Sequence, residues 1–180
     1  MQRILIIATD GFEQSELMKP RDLLAEAGAE VTIASLKPGE IKGWDQKDWG
    51  ESVPVDCTLE QVSSEDYDAL LLPGGQMNPD ILRMEHKVID IVREFDAAQK
   101  PIAAICHAPW LLAEADIIEG HTVTGWPSIR TDLANAGAAV VDEEVVVDGN
   151  LITSRKPADI PAFAQALMAA LNMEPAEHSA

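Results

Sequence analysis

The sequence predicts an α/β fold of the doubly wound kind, on three observations. Short, nearly continuous apolar runs recur at residues 3–8 (RILIIA), 31–35 (VTIAS), 69–72 (ALLL) and 101–105 (PIAAI). Runs of that length without polar alternation suit strands covered on both faces, as in a parallel sheet. Helical patterns lie between these runs, and alternation of strand and helix is the signature of an α/β sheet. The residues just after the runs are also rich in reactive groups, and open α/β sheets bind ligands outside the carboxyl ends of their strands.

Taken in order, the first run leads into a helix over 15–27 (SELMKPRDLLAEA), opened by Ser15 as a cap and ended by Gly28. Pro20 is expected to kink or restart it. The segment 37–57 is polar, turn-rich and marked by Trp44 and Trp49, so it reads as a small β-hairpin insertion. A helix is expected over 79–98, with Ile81, Leu82, Val88, Ile89, Val92 and Phe95 on one face. After the 101–105 run come a further helix, strands at 121–125 and 138–141 flanking a helix at 128–136, and a hairpin over 145–154 turning at Asp148, Gly149 and Asn150. A helix over 157–171 closes the fold. The reading is one domain over 1–172 with a frayed tail over 173–180.

Length and composition agree: 180 residues at 47% hydrophobic suffice for one core. A formal net charge of −18, from 13 basic and 31 acidic residues, repels nucleic acid and acidic membranes, so neither is an expected partner. The N-terminus turns polar too soon for a signal peptide, and no run approaches membrane-spanning length. With only Cys57 and Cys106, 49 positions apart, a reducing cytoplasm is the default setting. The cysteines and the four scattered histidines match no zinc spacing, so neither metal nor other cofactor is expected.

The stretch AICHAP places Cys106 where a buried strand turns directly into a helix, with Ala104 and Ala108 small enough for a sharp bend and Pro109 suited to the first helical turn. At such a terminus backbone amides and the helix dipole favour thiolate, so Cys106 is the candidate nucleophile, whereas Cys57 is taken as buried and inert. His107 is either its base or a histidine at a helix cap. Gly74 and Gly75 offer either an oxyanion hole or a tight left-handed turn, readings that are compatible. Glu13 and Glu16, three apart, are either solvated acids at a helix start or pocket acids, one of them protonated against the sulfur. The tryptophans Trp44, Trp49, Trp110 and Trp126 read as packing or interface residues. Arg155 would pair with a carboxylate or hold an anion, and His86, His121 and His178 are taken as surface residues.

With PGG (73–75), FEQSE (12–16) and VDGNLITSRKPAD (147–159), AICHAP makes this sequence resemble the ThiJ/PfpI branch of the DJ-one superfamily, over about residues 3–171. The resemblance implies a flavodoxin-like three-layer sandwich with small β-hairpin additions, of the class I glutamine amidotransferase-like type. It maps the nucleophile onto Cys106, the following histidine onto His107, the acid bonded to the cysteine onto Glu16 and a second pocket acid onto Glu13. It also implies a homodimer or higher homo-oligomer in which a neighbour's carboxylate, best matched by Asp80, completes a Cys-His-acid triad. Asp80 stands where other members carry Glu, in a loop one residue longer, and Trp126 stands where related sequences carry Tyr or His, leaving only an indole N–H near the sulfur.

Three functions follow as expectations. The leading one is a cofactor-independent cysteine enzyme acting on small reactive carbonyls or glycated proteins, with glyoxalase III-like or deglycase-like chemistry. The second is a peptidase or amidase using Cys106, His107 and a neighbour's Asp80. The third is a stress-protective redox sensor or chaperone.

Overall fold

The computed structural model describes residues 1–177 of the chain. The expectations for His178 and for the end of the tail fall outside these residues. In chain order the elements are β1 (Arg3–Ile7), β2 (Phe12–Glu13), α1 (Gln14–Glu26), β3 (Glu30–Ser35), β4 (Glu40–Asp45), β5 (Asp48–Pro54), β6 (Cys57–Thr58), β7 (Ala69–Leu72), α2 (Met77–Leu82), α3 (His86–Ala97), β8 (Ile102–Ile105), α4 (Pro109–Glu114), β9 (Thr122–Val123), α5 (Arg130–Asn135), β10 (Ala139–Val140), β11 (Val146–Asp148), β12 (Leu151–Ser154) and α6 (Ile160–Ala170). Seven strands form the central sheet in the order β11-β12-β8-β7-β1-β3-β6. All its pairings are parallel except β11 with β12. This is the flavodoxin-like α/β sandwich with a mostly parallel sheet.

The apolar runs form β1, β3, β7 and β8 because each strand is covered on both faces. Leu5 and Ile7 point into one core layer with Leu70, Leu72 and Phe95; Ile4 and Ile6 point into the other with Leu71, Phe12 and Phe163. Each such buried aliphatic side chain contributes about 1.5–3 kcal/mol relative to exposure. Among the described residues no helix is long and apolar enough to cross a membrane.

Several elements differ from the sequence expectations. Helix α1 is capped by Glu13, not Ser15: the Glu13 carboxylate accepts the Glu16 N–H at 2.9 Å. Pro20 lies inside α1 without ending it, although it cannot donate to the Glu16 carbonyl one turn back. The expected helix over 79–98 is two helices, α2 and α3, separated at 83–85, because residues 83–87 supply no buried side chain to continue the apolar face. The strands expected at 121–125 and 138–141 shorten to β9 and β10, which pair with each other apart from the main sheet.

The 37–57 segment is a hairpin, β4 with β5, whose Trp44 and Trp49 pair across the strands edge to face at 5.4 Å. β2 joins it in parallel, with Phe12 opposite Gly43 and Glu13 opposite Trp44, so the hairpin clamps the FEQSE stretch at the carboxyl end of the sheet.

Candidate active site

Cys106 directly follows β8 and adopts φ +65°, a left-handed conformation that is costly for a side chain with a Cβ, on the order of 1–3 kcal/mol. Its backbone is held on both sides: its N–H donates to the Ser154 carbonyl at 3.0 Å, and its carbonyl accepts the Trp126 N–H at 2.8 Å. The strand register sets the first of these bonds, since β12 runs parallel to β8 with Ser154 opposite Ile105. The side chain is nearly buried, 6% exposed.

Glu16 is wholly buried on the first turn of α1. Its Oε1 accepts the Gly74 N–H at 3.0 Å, while Oε2 is buried without a fixed partner and Cys106 lies within bonding reach of the carboxyl. Burial pushes this carboxyl well above the ordinary range; the neighbouring charge of Glu13 adds to the effect and the Gly74 amide opposes it. Glu13 does not take this role, because its carboxylate caps α1, accepting from Glu16 N–H and from the Ser15 hydroxyl.

The sulfur departs from the sequence expectation. Burial, and then the charge of Glu16, push the Cys106 thiol up, opposed by the Gly75 and His107 amides. The helix terminus has little to offer beyond His107, since α4 spans only six residues, Pro109 has no N–H, and the Ala108 N–H is engaged with the Ile105 carbonyl at 3.0 Å. Two negative charges cannot share this buried pocket, so Cys106 and Glu16 titrate as a pair that retains one proton.

The Gly-Gly turn is also divided. The Gly74 amide is committed to Glu16, so it is not a free oxyanion donor, and Gly75 alone of the two presents its N–H to the sulfur. A Cβ on Gly74 would lie 2.5 Å from Glu16 Oε1, 2.6 Å from the Ile105 carbonyl and 2.7 Å from Cys106 Cβ, so the close approach requires glycine. Gly75 takes φ +85°. Asn78, which sequence reasoning missed, is fully buried beneath this turn. Its side-chain amide donates to the Pro73 and Gly74 carbonyls at 2.9 and 3.2 Å, and its oxygen accepts the Thr9 N–H at 2.8 Å, tying the turn to the end of β1. The polar residue between Met77 and Pro79 was its only sequence signal.

His107 places Nδ1 3.2 Å from Cys106 Sγ. Its ring stacks on Trp126 at 5.8 Å and meets the edge of Trp110 at 5.2 Å, and its burial lowers the imidazole's pKa, favouring the neutral form. Trp126 therefore covers the histidine. Asp80 lies exposed on α2 and is not brought to His107 within the chain. Arg155 pairs with Asp159 and Asp142. Cys57 is only half-buried. Among the described residues no group of three or more His, Cys, Asp or Glu is arranged to hold a metal ion.

Comparison with known proteins places the chain in a family. The model of the DJ-1/PfpI family matches residues 2–170. General stress protein 18 of Bacillus subtilis is 43% identical over 172 residues, covering 94% of this chain and 98% of its own length. Protein/nucleic acid deglycase 2 of Escherichia coli is 43% identical over 164 residues, covering 90% of this chain and 93% of its own length. A solved structure from Anabaena variabilis, a two-domain protein containing DJ-1/ThiJ/PfpI-like and ferritin-like domains, matches with a TM-score of 0.90 at 35% identity over 96% of this chain. The present chain spans about half of that two-domain protein, 48% of its length. A family model matched from β1 to the end of α6, with relatives 43% identical over nine tenths of the chain, leads to one conclusion: the chain belongs to the DJ-1/PfpI family.

Proposed function

We propose that this protein is a cofactor-independent cysteine enzyme that acts on reactive carbonyls and their amine adducts, a deglycase with glyoxalase III-like chemistry. The observation that carries this reading is the pairing of buried Glu16 with Cys106 at the end of β8. Its homologues' deglycase names support the substrate class.

The retained proton belongs on Glu16. Its Oε2 has no donor to stabilise a charge and Glu13 stands nearby, whereas the sulfur faces two backbone amides. A protonated Glu16 carboxyl donates to the thiolate, which then attacks. With a free 2-oxoaldehyde, sulfur bonds to the aldehyde carbon and the carbonyl oxygen takes the Glu16 proton, giving a hemithioacetal. With an amine adduct, the carbon–sulfur bond forms as the carbon–nitrogen bond breaks, and the amine leaves with that proton. Glu16 carboxylate, or neutral His107, next moves the proton from the sulfur-bearing carbon to the adjacent carbonyl carbon, while the hydroxyl proton passes to the former ketone oxygen. The product is a thioester of a 2-hydroxy acid, one carbon oxidised and its neighbour reduced. Water attacks the thioester, the carbon–sulfur bond breaks, and the hydroxy acid departs with the Cys106–Glu16 pair restored. As charge leaves sulfur for oxygen, the Gly75 amide is free to follow it.

The test is incubation with methylglyoxal without glutathione, and with a methylglyoxal-treated amine, beside Cys106→Ala. Cysteine-dependent lactate and released amine support the reading; no turnover of either substrate refutes it. A second reading is favoured by the Sγ–Nδ1 distance of 3.2 Å: a peptidase in which a second subunit's Asp80 orients His107. It requires a homo-oligomer, so peptide cleavage by a monomer rules out that triad. Either activity suits a cytoplasmic, stress-protective role.

A further inference from the structure

Cys106 is held in its left-handed conformation by two segments that do not belong to its own strand. Its N–H is bonded to Ser154, at the end of β12, and its carbonyl to Trp126, in the loop after β9. Each segment carries an arginine. Arg155 directly follows Ser154, and Arg130 reaches back to the Gly125 carbonyl, next to Trp126, at 3.4 Å.

The two guanidinium groups converge on one oxygen. Arg130 Nη2 and Arg155 Nη1 both donate to Asp142 Oδ1 at 2.9 Å. Arg155 is in turn fixed from behind by buried Asp159, which accepts from its Nε and Nη2 at 3.0 Å each and from its backbone N–H at 2.9 Å. Three of the four groups are therefore anchored to the fold near the cysteine. Asp142 is the exception: its side chain is 65% exposed and lies in the loop between β10 and β11.

We propose that Asp142 is a positioning residue for Cys106, a bridge between two arginines that fastens the segment holding the cysteine's carbonyl to the segment holding its N–H. With the bridge in place the elbow keeps the sulfur against the Gly75 and His107 amides. Without it the Trp126 segment is free to move away from β12, and the sulfur loses that alignment. The inference deepens the carbonyl-enzyme reading but is separable from it, because the reactivity of the thiol can be measured without substrate.

Two measurements on the full chain test it, in a Cys57→Ser background so that one thiol reports. Asp142→Ala is expected to slow iodoacetamide alkylation of Cys106 at neutral pH by about two- to fivefold, the range that exposed ion pairs support. It is expected to lower kcat for methylglyoxal by a similar factor with KM unchanged. Asp142→Glu, which keeps the bridging charge, restores both, while Glu143→Gln, which removes the same charge one residue along, changes neither. About 1 M salt, which shortens the screening length to about 3 Å, slows the parent toward the Asp142→Ala rate and leaves that variant unchanged. Alkylation of Asp142→Ala at or above the parent rate overturns the proposal, as does an equal effect of Glu143→Gln. If alkylation falls as expected but the parent turns over no carbonyl, the positioning role stands and the carbonyl-enzyme reading fails.

Discussion

The two cysteines of this chain occupy opposite fates within one sheet. Cys57 begins the edge strand β6, half-buried, paired in register with Ala34 and near Tyr67. Burial raises its thiol above the ordinary value, with the charge of Asp56 adding to it. Cys106 ends the interior of the sheet at β8, also with its thiol pushed up by burial, and there the second influence is the charge of buried Glu16, whose own carboxyl is pushed up by burial in turn. Desolvation alone makes a thiol inert. What separates the two sites is the left-handed turn that presents Cys106 to Glu16, to two amides and to His107.

The largest expected effect breaks this comparison at the sulfur. Cys106→Ala should lower turnover of methylglyoxal by about 10⁴-fold or more, the scale seen when a nucleophile is removed from a concerted site. Cys57→Ser should leave the rate within about twofold, as for a substitution away from the chemistry. Next comes the carboxyl: Glu16→Gln keeps the shape but cannot move a proton, and kcat should fall by about 10²–10³-fold. A backbone change follows. Gly74→Ala pushes a methyl group against Glu16 Oε1 and the Cys106 Cβ, and a displacement of that size should lower kcat by about 10²-fold.

The smallest effect is on stability, and its sign is opposite to that on activity. Glu16 has its pKa raised in the folded chain, so folding takes up a proton and stability is lost as pH rises from the unfolded carboxyl value through the folded one. Glu16→Gln removes that loss. Thermal melts should show the variant more stable than the parent at pH 8, with the gap closing toward pH 4. A variant less stable than the parent across that whole range would show that Glu16 is not buried as an acid.

Much of this arrangement was legible in the residues. Four apolar runs became β1, β3, β7 and β8 because a strand buried on both faces needs no alternation, and AICHAP announced its elbow through small flanking alanines and Pro109. The division of labour between Glu13 and Glu16 came only through the family resemblance and was not legible in their spacing: three apart, both face one side of a helix start, and the Glu13 carboxylate's role as the cap of α1 is a property of the folded chain. The Gly74 amide's commitment to Glu16 joins residues 58 apart in sequence, a contact no local pattern reports. The break between α2 and α3 escaped notice because Ile81, Leu82 and Val88 keep a helical spacing across a turn that is not helical. The helix terminus gives Cys106 less support than AICHAP suggests, since the length of α4 and the depth of burial are properties of the folded chain.

The account depends on the single proton of the Cys106–Glu16 pair residing on the carboxyl. Ultraviolet absorbance of the thiolate, followed against pH in Cys57→Ser protein, measures this directly. Burial by itself pushes the thiol up, but with the proton on Glu16 its donation to the sulfur and the Gly75 and His107 amides outweigh that push, so the sulfur should be charged with a midpoint below the ordinary free-thiol value of about 8.5. Thiolate absorbance that appears only above that value would place the proton on sulfur at neutral pH and contradict the mechanism.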